Sequence, residues 1–264
     1  MSRLSVADVW RIAQSEELLR GISLSTVWRW LDADALRPWR YHSWIFPRAP
    51  DFESKAGVVL DLYQGIWQDA RLGPDCYVIS ADEKTSIQAR CRRHPPAPCR
   101  SGQAMRVEQE YLRRGALAYL AALDVYWGKV IGHVSQRTGK DAFDELVRRV
   151  MGQEPYASAR RVFWIVDNGS SHQPTTFPQR LRERYSNAVA VHLPVHASWL
   201  NQIEIYFSIV QRKVLTPNDF PDTEAVLDRL VRFQDHYNLQ ARPFDWTFTR
   251  EKLESWCRRL KFAA

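Results

Sequence analysis

Residues 163–173 read FWIVDNGSSHQ, and residues 189–213 read VAVHLPVHASWLNQIEIYFSIVQRK. Phe163, Trp164, Ile165 and Val166 are apolar, Asp167 closes the run, and Asn168-Gly169-Ser170 follows as a turn signal. A short β-rich run closed by an acid and a turn is how a buried strand delivers a carboxylate to the edge of a sheet. A second short strand, over 189–193, stops at Pro194, and a helix starting near Ser198 carries Glu204. Upstream, residues 77–82 (YVISAD) form another strand ending in an acid, Asp82. Two strand-end aspartates and one helical glutamate are the parts of a site that holds metal ions and activates water on phosphodiesters.

Outward from these stretches, the rest of the chain supplies a sheet. Residues 116–125 and 129–134 read as a hairpin around Tyr126-Trp127-Gly128, and residues 139–151 as an amphipathic helix with Phe143, Leu146, Val147 and Val150 inward. Residues 176–185, 198–215 and 223–238 read as further helices, with a last short one after Pro243. The order of elements fits an α/β fold, a mixed sheet flanked by helices. In such a sheet the first and fourth strands can be neighbours, bringing Asp82 and Asp167 to one edge. Three carboxylates gathered there repel one another, and divalent cations relieve the repulsion. Mg²⁺ favours a few carboxylates plus water and substrate phosphate, which suits this inventory. Two ions about 4 Å apart would stabilise both attacking and leaving oxygens.

The helix after Ser198 supports this. Asn201, Glu204 and Ser208 form a polar stripe, and Ile203, Phe207 and Val210 an apolar one. Glu83, next to Asp82 on a strand, is expected on the opposite face and is left out of the site. His172 is a candidate to orient substrate or water, although turn histidines are more often hydrogen-bonded bystanders. His192 and His196 are weaker candidates.

The N-terminal 46 residues form a separate pattern. Ser5 can cap a helix with Val6, Val9, Trp10 and Ala13 on one face; Leu18 and Leu19 make a short apolar turn that Gly21 breaks. Ser23 then caps a helix with Val27, Trp30 and Leu31 inward, leaving Ser25, Thr26 and Arg29 to face a major groove. This is the helix-turn-helix pattern, with a plain helical hairpin as the bland alternative. Arg37 and Arg40 would lie along phosphates. Residues 47–71 then read as a proline-containing linker and a connecting helix whose apolar stripe includes Ile66 and Trp67. Residues 72–264 form the large domain.

Composition bounds the function. The 264 residues carry a formal charge of +7, with 45% hydrophobic and 25% charged residues, and the pI is about 9.4. No apolar run approaches the roughly 18 residues of a membrane span, and no secretion signal opens the chain. The expectation is a cytoplasmic protein, nucleoid-associated if bacterial, with no membrane partner. Between Lys84 and Arg114 eight cationic side chains meet only two acids, Glu108 and Glu110. Residues 84–115 are expected to interrupt the sheet as a basic, proline-rich insertion, with Arg90, Arg92, Arg93 and Arg100 contacting DNA phosphates. Four scattered cysteines give neither a disulfide framework nor a regular zinc spacing.

The motifs SADEKT (80–85), VDNGSSH (166–172) and HASWLNQIEIYFSIVQRK (196–213) resemble those of DDE transposases, in the bacterial insertion-sequence branch of the mariner superfamily. The third is the most specific. The resemblance extends to LRPWRYHSWIF (36–46) and YNLQARPFDWTFT (237–249). It implies a ribonuclease-H-like catalytic domain and Asp82, Asp167 and Glu204 as a catalytic and metal-binding triad, with Mg²⁺ or Mn²⁺ as cofactor. It also implies terminal inverted repeats as the bound DNA, strand cleavage and transfer at a TA target, and a homodimer braced by the basic insertion. Relatives of that branch carry two N-terminal DNA-binding subdomains where this chain starts with one helical unit, so a truncated copy, a downstream start or a split frame is expected. The alternative is a non-catalytic DNA-binding remnant or regulator derived from such an enzyme. A structure-specific nuclease on the same fold is a third reading.

Overall fold

The computed structural model describes residues 5–33 and 49–263. The chain divides into two compact units, Met1–Phe46 and Pro47–Ala264. In the first, helix α1 (Val6–Ser15) begins with a capping box: the Ser5 hydroxyl accepts from the Asp8 amide and the Asp8 carboxylate accepts from the Ser5 amide. A 3-10 turn (Glu17–Leu19) leads to α2 (Leu24–Ala33). Trp10 Nε1 and Gln14 Nε2 both donate to the Ile22 carbonyl, at 2.8 and 3.0 Å, and tie the turn between the helices down. Trp30, expected inward, is 51% exposed. A pair of ten-residue helices covers a single line of positions, and on α2 Val27 occupies it.

The second unit opens with α3 (Phe52–Tyr63). The helix expected to run to residue 71 stops there. Gly65 takes φ +74°, and strands β1 (Ile66–Trp67) and β2 (Ala70–Arg71) form a small hairpin, with Gln68 and Asp69 also at positive φ. Ile66 and Trp67 are therefore strand residues, and a two-residue turn of left-handed conformation has the twist a hairpin needs.

A five-stranded sheet follows: β3 (Cys76–Arg92), β4 (Tyr111–Asp124), β5 (Val130–Ser135), β6 (Arg161–Val166) and β7 (Ala188–His192), in the order β5-β4-β3-β6-β7. The first three strands are antiparallel neighbours, whereas β6 runs parallel to both β3 and β7. Helices α4 (Lys140–Met151) and α5 (Phe177–Arg184) supply the two parallel crossovers. They cover one face, packing Phe143, Leu146, Val150, Phe177 and Leu181 on Ile79, Ala81, Leu120, Trp164 and Val166. The other face carries α6 (Ile203–Lys213) and α7 (Thr223–Leu239) over β3–β5, and α3 with α8 (Arg250–Ala263) over β6 and β7. No helix of the described residues is long and apolar enough to cross a membrane.

The expected insertion at 84–115 is corrected. β3 does not stop at Asp82; it continues ten residues to Arg92, and β4 begins at Tyr111, so both ends of the basic stretch extend the sheet as a β-arm, with residues 93–110 as the loop at its end. Its inward positions Ile87 and Ala89 are buried, which continues the strand alternation. A bulge between Lys84 and Ile87, with Ser86 at φ +56°, bends the arm. β6 pairs with β3 only as far as Ser80. Farther out, residues 218–220 take over the vacated edge: Asn218 accepts from the Arg90 amide (3.0 Å) and donates to the Gln88 carbonyl (2.7 Å), and the Phe220 amide donates to the Arg90 carbonyl (2.9 Å). The backbone hydrogen bonds of the strand are thus satisfied beyond its sheet neighbour.

Candidate active site

Asp82 stands in the middle of β3 on the face covered by α6. Two residues before it, on the same face, the Ser80 hydroxyl donates to Asn201 Oδ1 and accepts from the Ile203 amide at 2.9 Å. The sheet therefore caps an orphan amide in the first turn of α6. Asn201 Nδ2 donates to the Ala81 carbonyl at 3.1 Å and reaches Asp82 Oδ2 at 3.5 Å. This corrects the polar stripe. Asn201 precedes the helix, its backbone is extended (φ −79°, ψ 111°), and its side chain is buried against β3. The segment expected to be helical from Ser198 is a 3-10 turn (Ser198–Leu200) before α6 begins. The break lets the Asn201 amide enter the sheet.

Asp167 follows β6 directly. Its Oδ1 accepts from the Gly169 amide at 2.7 Å and is joined to His172 Nε2. Because β3 and β6 are parallel neighbours, Asp82 and Asp167 come together. One atom each from Asp82, Asp167 and His172 lie within 4.8 Å of one another. Glu204 is not in that group; it sits on the first turn of α6, exposed.

The charges respond to this crowding. Burial, and then the charge on Asp167, push the Asp82 carboxyl up to about 7. Asp167 is held below its ordinary value, chiefly by the hydrogen bond from His172. Desolvation moves Glu204 upward; Lys84 opposes the shift and Asp167 adds to it, so Glu204 shares the field of the site. Two neighbouring carboxylates that cannot both ionise freely have their protonation driven apart.

Glu83 points to the face opposite Asp82, as strand alternation requires, yet it does not leave the site. Its carboxylate accepts from the Ser171 hydroxyl and stands 3.9 Å from His172 Nδ1. Sequence reading missed this contact because the turn after Asp167 folds back across the sheet edge as a 3-10 turn (Ser170–His172). Gly169 permits the fold-back: a Cβ there would meet Asp167 Oδ1 at 2.9 Å and His172 Nε2 at 3.0 Å. His192 Nε2 contacts the His172 carbonyl at 2.7 Å, a supporting bond one step from the acids.

The expected DNA contacts are scattered. On α2, Ser25 and Arg29 are exposed, while Thr26 belongs to the helix cap, its amide donating to the Ser23 hydroxyl at 3.1 Å. Arg37 and Arg40 lie outside the described residues. On the arm, Arg90 and Arg92 stack on Tyr111, 4.6 and 5.3 Å from the ring centroid. Arg92 also donates to the carbonyls of Asn218 (3.1 Å), Glu108 (2.5 Å) and Gln109 (3.1 Å) and so ties down the neck of the 93–110 loop. Arg93 is exposed, 3.9 Å from Glu110, and Arg100 is exposed near the tip. A groove of about 520 Å³ runs between arm and α6, lined by Lys84, Ser86, Gln88, Arg90, Gln211 and Asn218 among others.

The model of the DDE superfamily endonuclease family matches residues 77–227, a span that holds Asp82, Asp167 and Glu204. Among solved structures, a Mos1 mariner paired end complex with Mn is similar over 98% of this chain and 79% of its own, at 13% identity and a TM-score of 0.58. A pre-cleavage Mos1 transpososome is similar over 98% and 79%, at 11% identity and 0.52. A Mos1 transposase paired-end complex with left transposon end gives 99%, 78%, 11% and 0.51. At such identities the likeness is one of fold, and the mixed sheet with its flanking helices is ribonuclease-H-like. A search of curated proteins finds no match.

Proposed function

The chain belongs to the DDE superfamily endonucleases, and on that premise we propose that it is a transposase that cuts DNA at the terminal inverted repeats of its element and joins the freed ends to target DNA. The observation that carries the reading is the convergence of Asp82 and Asp167 from two parallel neighbouring strands, with Glu204 in their field. The two aspartates offer oxygen donors to a hard divalent cation, and a positive charge between them would offset the burial and repulsion that hold Asp82 at about 7. Asp82 and Asp167 would hold the cation, Mg²⁺ or Mn²⁺, and Glu204 would complete the coordination, two ions being the expected complement. When bound, such ions activate water and stabilise charge on the reacting phosphate. The protein's own residues fix the acids: Asn201 and the Glu83 amide orient Asp82, and the Gly169 amide and His172 orient Asp167.

Residues 1–46 serve in this reading as a helix-turn-helix unit, with Ser25, Thr26 and Arg29 toward DNA, and residues 72–264 as the catalytic domain. Arg93 and Arg100, both exposed on the arm, would meet phosphates in this reading. The solved relatives are paired-end complexes of Mos1, and by analogy the active form here is a homodimer holding two element ends.

The test is cleavage of a plasmid carrying the element's flanking repeats with Mg²⁺, comparing wild type with Asp167→Ala. The expected result is cutting at the repeat ends by wild type alone, with DNA binding kept by both. Cutting by Asp167→Ala overturns the site. Binding without cutting by either protein favours the non-catalytic remnant.

A further inference from the structure

His172 is wholly buried, packed 4.7 Å from the Phe143 ring and 6.3 Å from the Phe177 ring, centroid to centroid. A buried imidazole among aromatic rings loses solvation and needs partners for both nitrogens. Nε2 has Asp167 Oδ1. Nδ1 has no hydrogen-bond partner, and the carboxylate facing it is Glu83, at 3.9 Å. Glu83 is itself only 9% exposed in its side chain and is steadied by the Ser171 hydroxyl. Arg180 in turn donates to the Ser171 carbonyl at 2.6 Å and to Asp144 at 2.8 Å, which locks the turn onto α4. The hydrogen bonds that hold Asp82 come from Asn201 and the Glu83 backbone amide, not from these side chains. They form a line from one face of β3, around the sheet edge, to the single oxygen Oδ1 of Asp167.

We propose that Glu83 and His172 are a positioning pair: Glu83 orients the His172 ring, and His172 with the Gly169 amide engages Asp167 Oδ1, so that Asp167 presents Oδ2 alone to a divalent cation. The inference rests on the cation-binding reading of the site. It gives Asp167 a defined single-oxygen role, and it makes the Glu83 carboxylate act through His172. Partners of this kind set the orientation of a ligand, and their loss typically lowers metal affinity about 10–100-fold.

The test is Mn²⁺ binding, followed by the electron paramagnetic resonance signal of the free ion. The proteins are wild type, His172→Phe, His172→Gln, Glu83→Gln and the Glu83→Gln/His172→Phe double variant. Thermal melting without metal serves as the control for folding. The proposal expects His172→Phe to weaken Mn²⁺ binding about tenfold or more, and His172→Gln, whose amide can donate in place of Nε2, to recover most of it. Glu83→Gln should weaken binding in the wild-type background and add nothing in the His172→Phe background, because the two act in series. Equal effects of Glu83→Gln in both backgrounds overturn the pair. So does His172→Gln failing alongside His172→Phe, which would make the imidazole a direct ligand. If His172→Phe melts early, His172→Gln and Glu83→Gln alone decide the matter: loss with Glu83→Gln and retention with His172→Gln support the pair, and any other pattern refutes it. Asp82→Ala and Asp167→Ala separate the two levels. Mn²⁺ binding unchanged in both sinks the cation reading itself, whereas binding lost in both but intact in His172→Phe sinks only the pair.

Discussion

Replacing Asp82 by Asn should make the metal-free protein more stable, and by an amount that depends on pH. In the folded chain the Asp82 carboxyl keeps its proton up to about pH 7, whereas in the unfolded chain it releases it near 3.8. Between those values the folded state binds more protons than the unfolded state, so the stability contributed at this residue falls as pH rises and levels off above 7. At about 1.36 kcal/mol per pH decade, the full span corresponds to about 4 kcal/mol. Asn keeps the shape and the acceptor for the Glu83 amide but carries no charge to bury. In EDTA, urea unfolding should therefore find Asp82→Asn ahead of wild type at both pH values, by a smaller margin at pH 5 than at pH 8.5, where it approaches the full span of about 4 kcal/mol. The same variant should lose DNA cleavage. An advantage that is absent, or equal at the two pH values, would show that Asp82 is not under the electrostatic load described, and the argument for a cation at this point would lose its basis.

Two further predictions concern the frame around the site. Arg92→Ala removes donors to three carbonyls at the neck of the 93–110 loop, which should ease local opening by about 1.5 kcal/mol and speed proteolysis within residues 93–110 roughly tenfold; Arg93→Ala, at an exposed position, should change neither, and equal cutting of the two variants would refute the role given to Arg92. Gly128 has φ +69°, and a Cβ there would lie 2.1 Å from the Arg242 carbonyl oxygen; Gly128→Ala should destabilise by about 3 kcal/mol in urea unfolding, and a change within about 0.5 kcal/mol would contradict the packing of the 124–128 turn against the segment before α8.

What could be read in advance depended on where polarity changes sharply. The β6 strand and Asp167 were legible because four apolar residues give way to an acid and a turn at one point. The order of elements allowed β3 and β6 to be neighbours without requiring it, and their parallel pairing is what brings Asp82 to Asp167. The length of β3 was not legible: beyond Asp82 the bulge between Lys84 and Ile87 breaks the strict alternation, Gln88, Arg90 and Arg92 then alternate with buried Ile87 and the small Ala89, and the stretch resembles a basic loop. Asn201 was misplaced for a different reason. Helical periodicity cannot distinguish a polar residue facing water from one that enters a buried network, and here the helix is broken to allow the entry. Glu83 was assigned the correct face but the wrong consequence, since strand alternation says nothing about a turn that folds back over the sheet edge to meet that face.

The bond between Ser80 and Asn201 joins residues 121 positions apart in the chain, and its consequence lies in the timing of synthesis. The β3–β4–β5 meander can pair as soon as residue 135 has emerged, since its strands are consecutive. β6 must then settle on the free edge of β3, and only after α6 is complete can Ser80 cap it and Asn201 take hold of Asp82. Long-range closures of this kind are the slow steps of folding. A nascent chain that ends before α6 is complete can bring Asp82 and Asp167 together through β3 and β6, but it lacks the Asn201 hold on Asp82 and a helix to carry Glu204, so the three acids share one field only when most of the chain has been made.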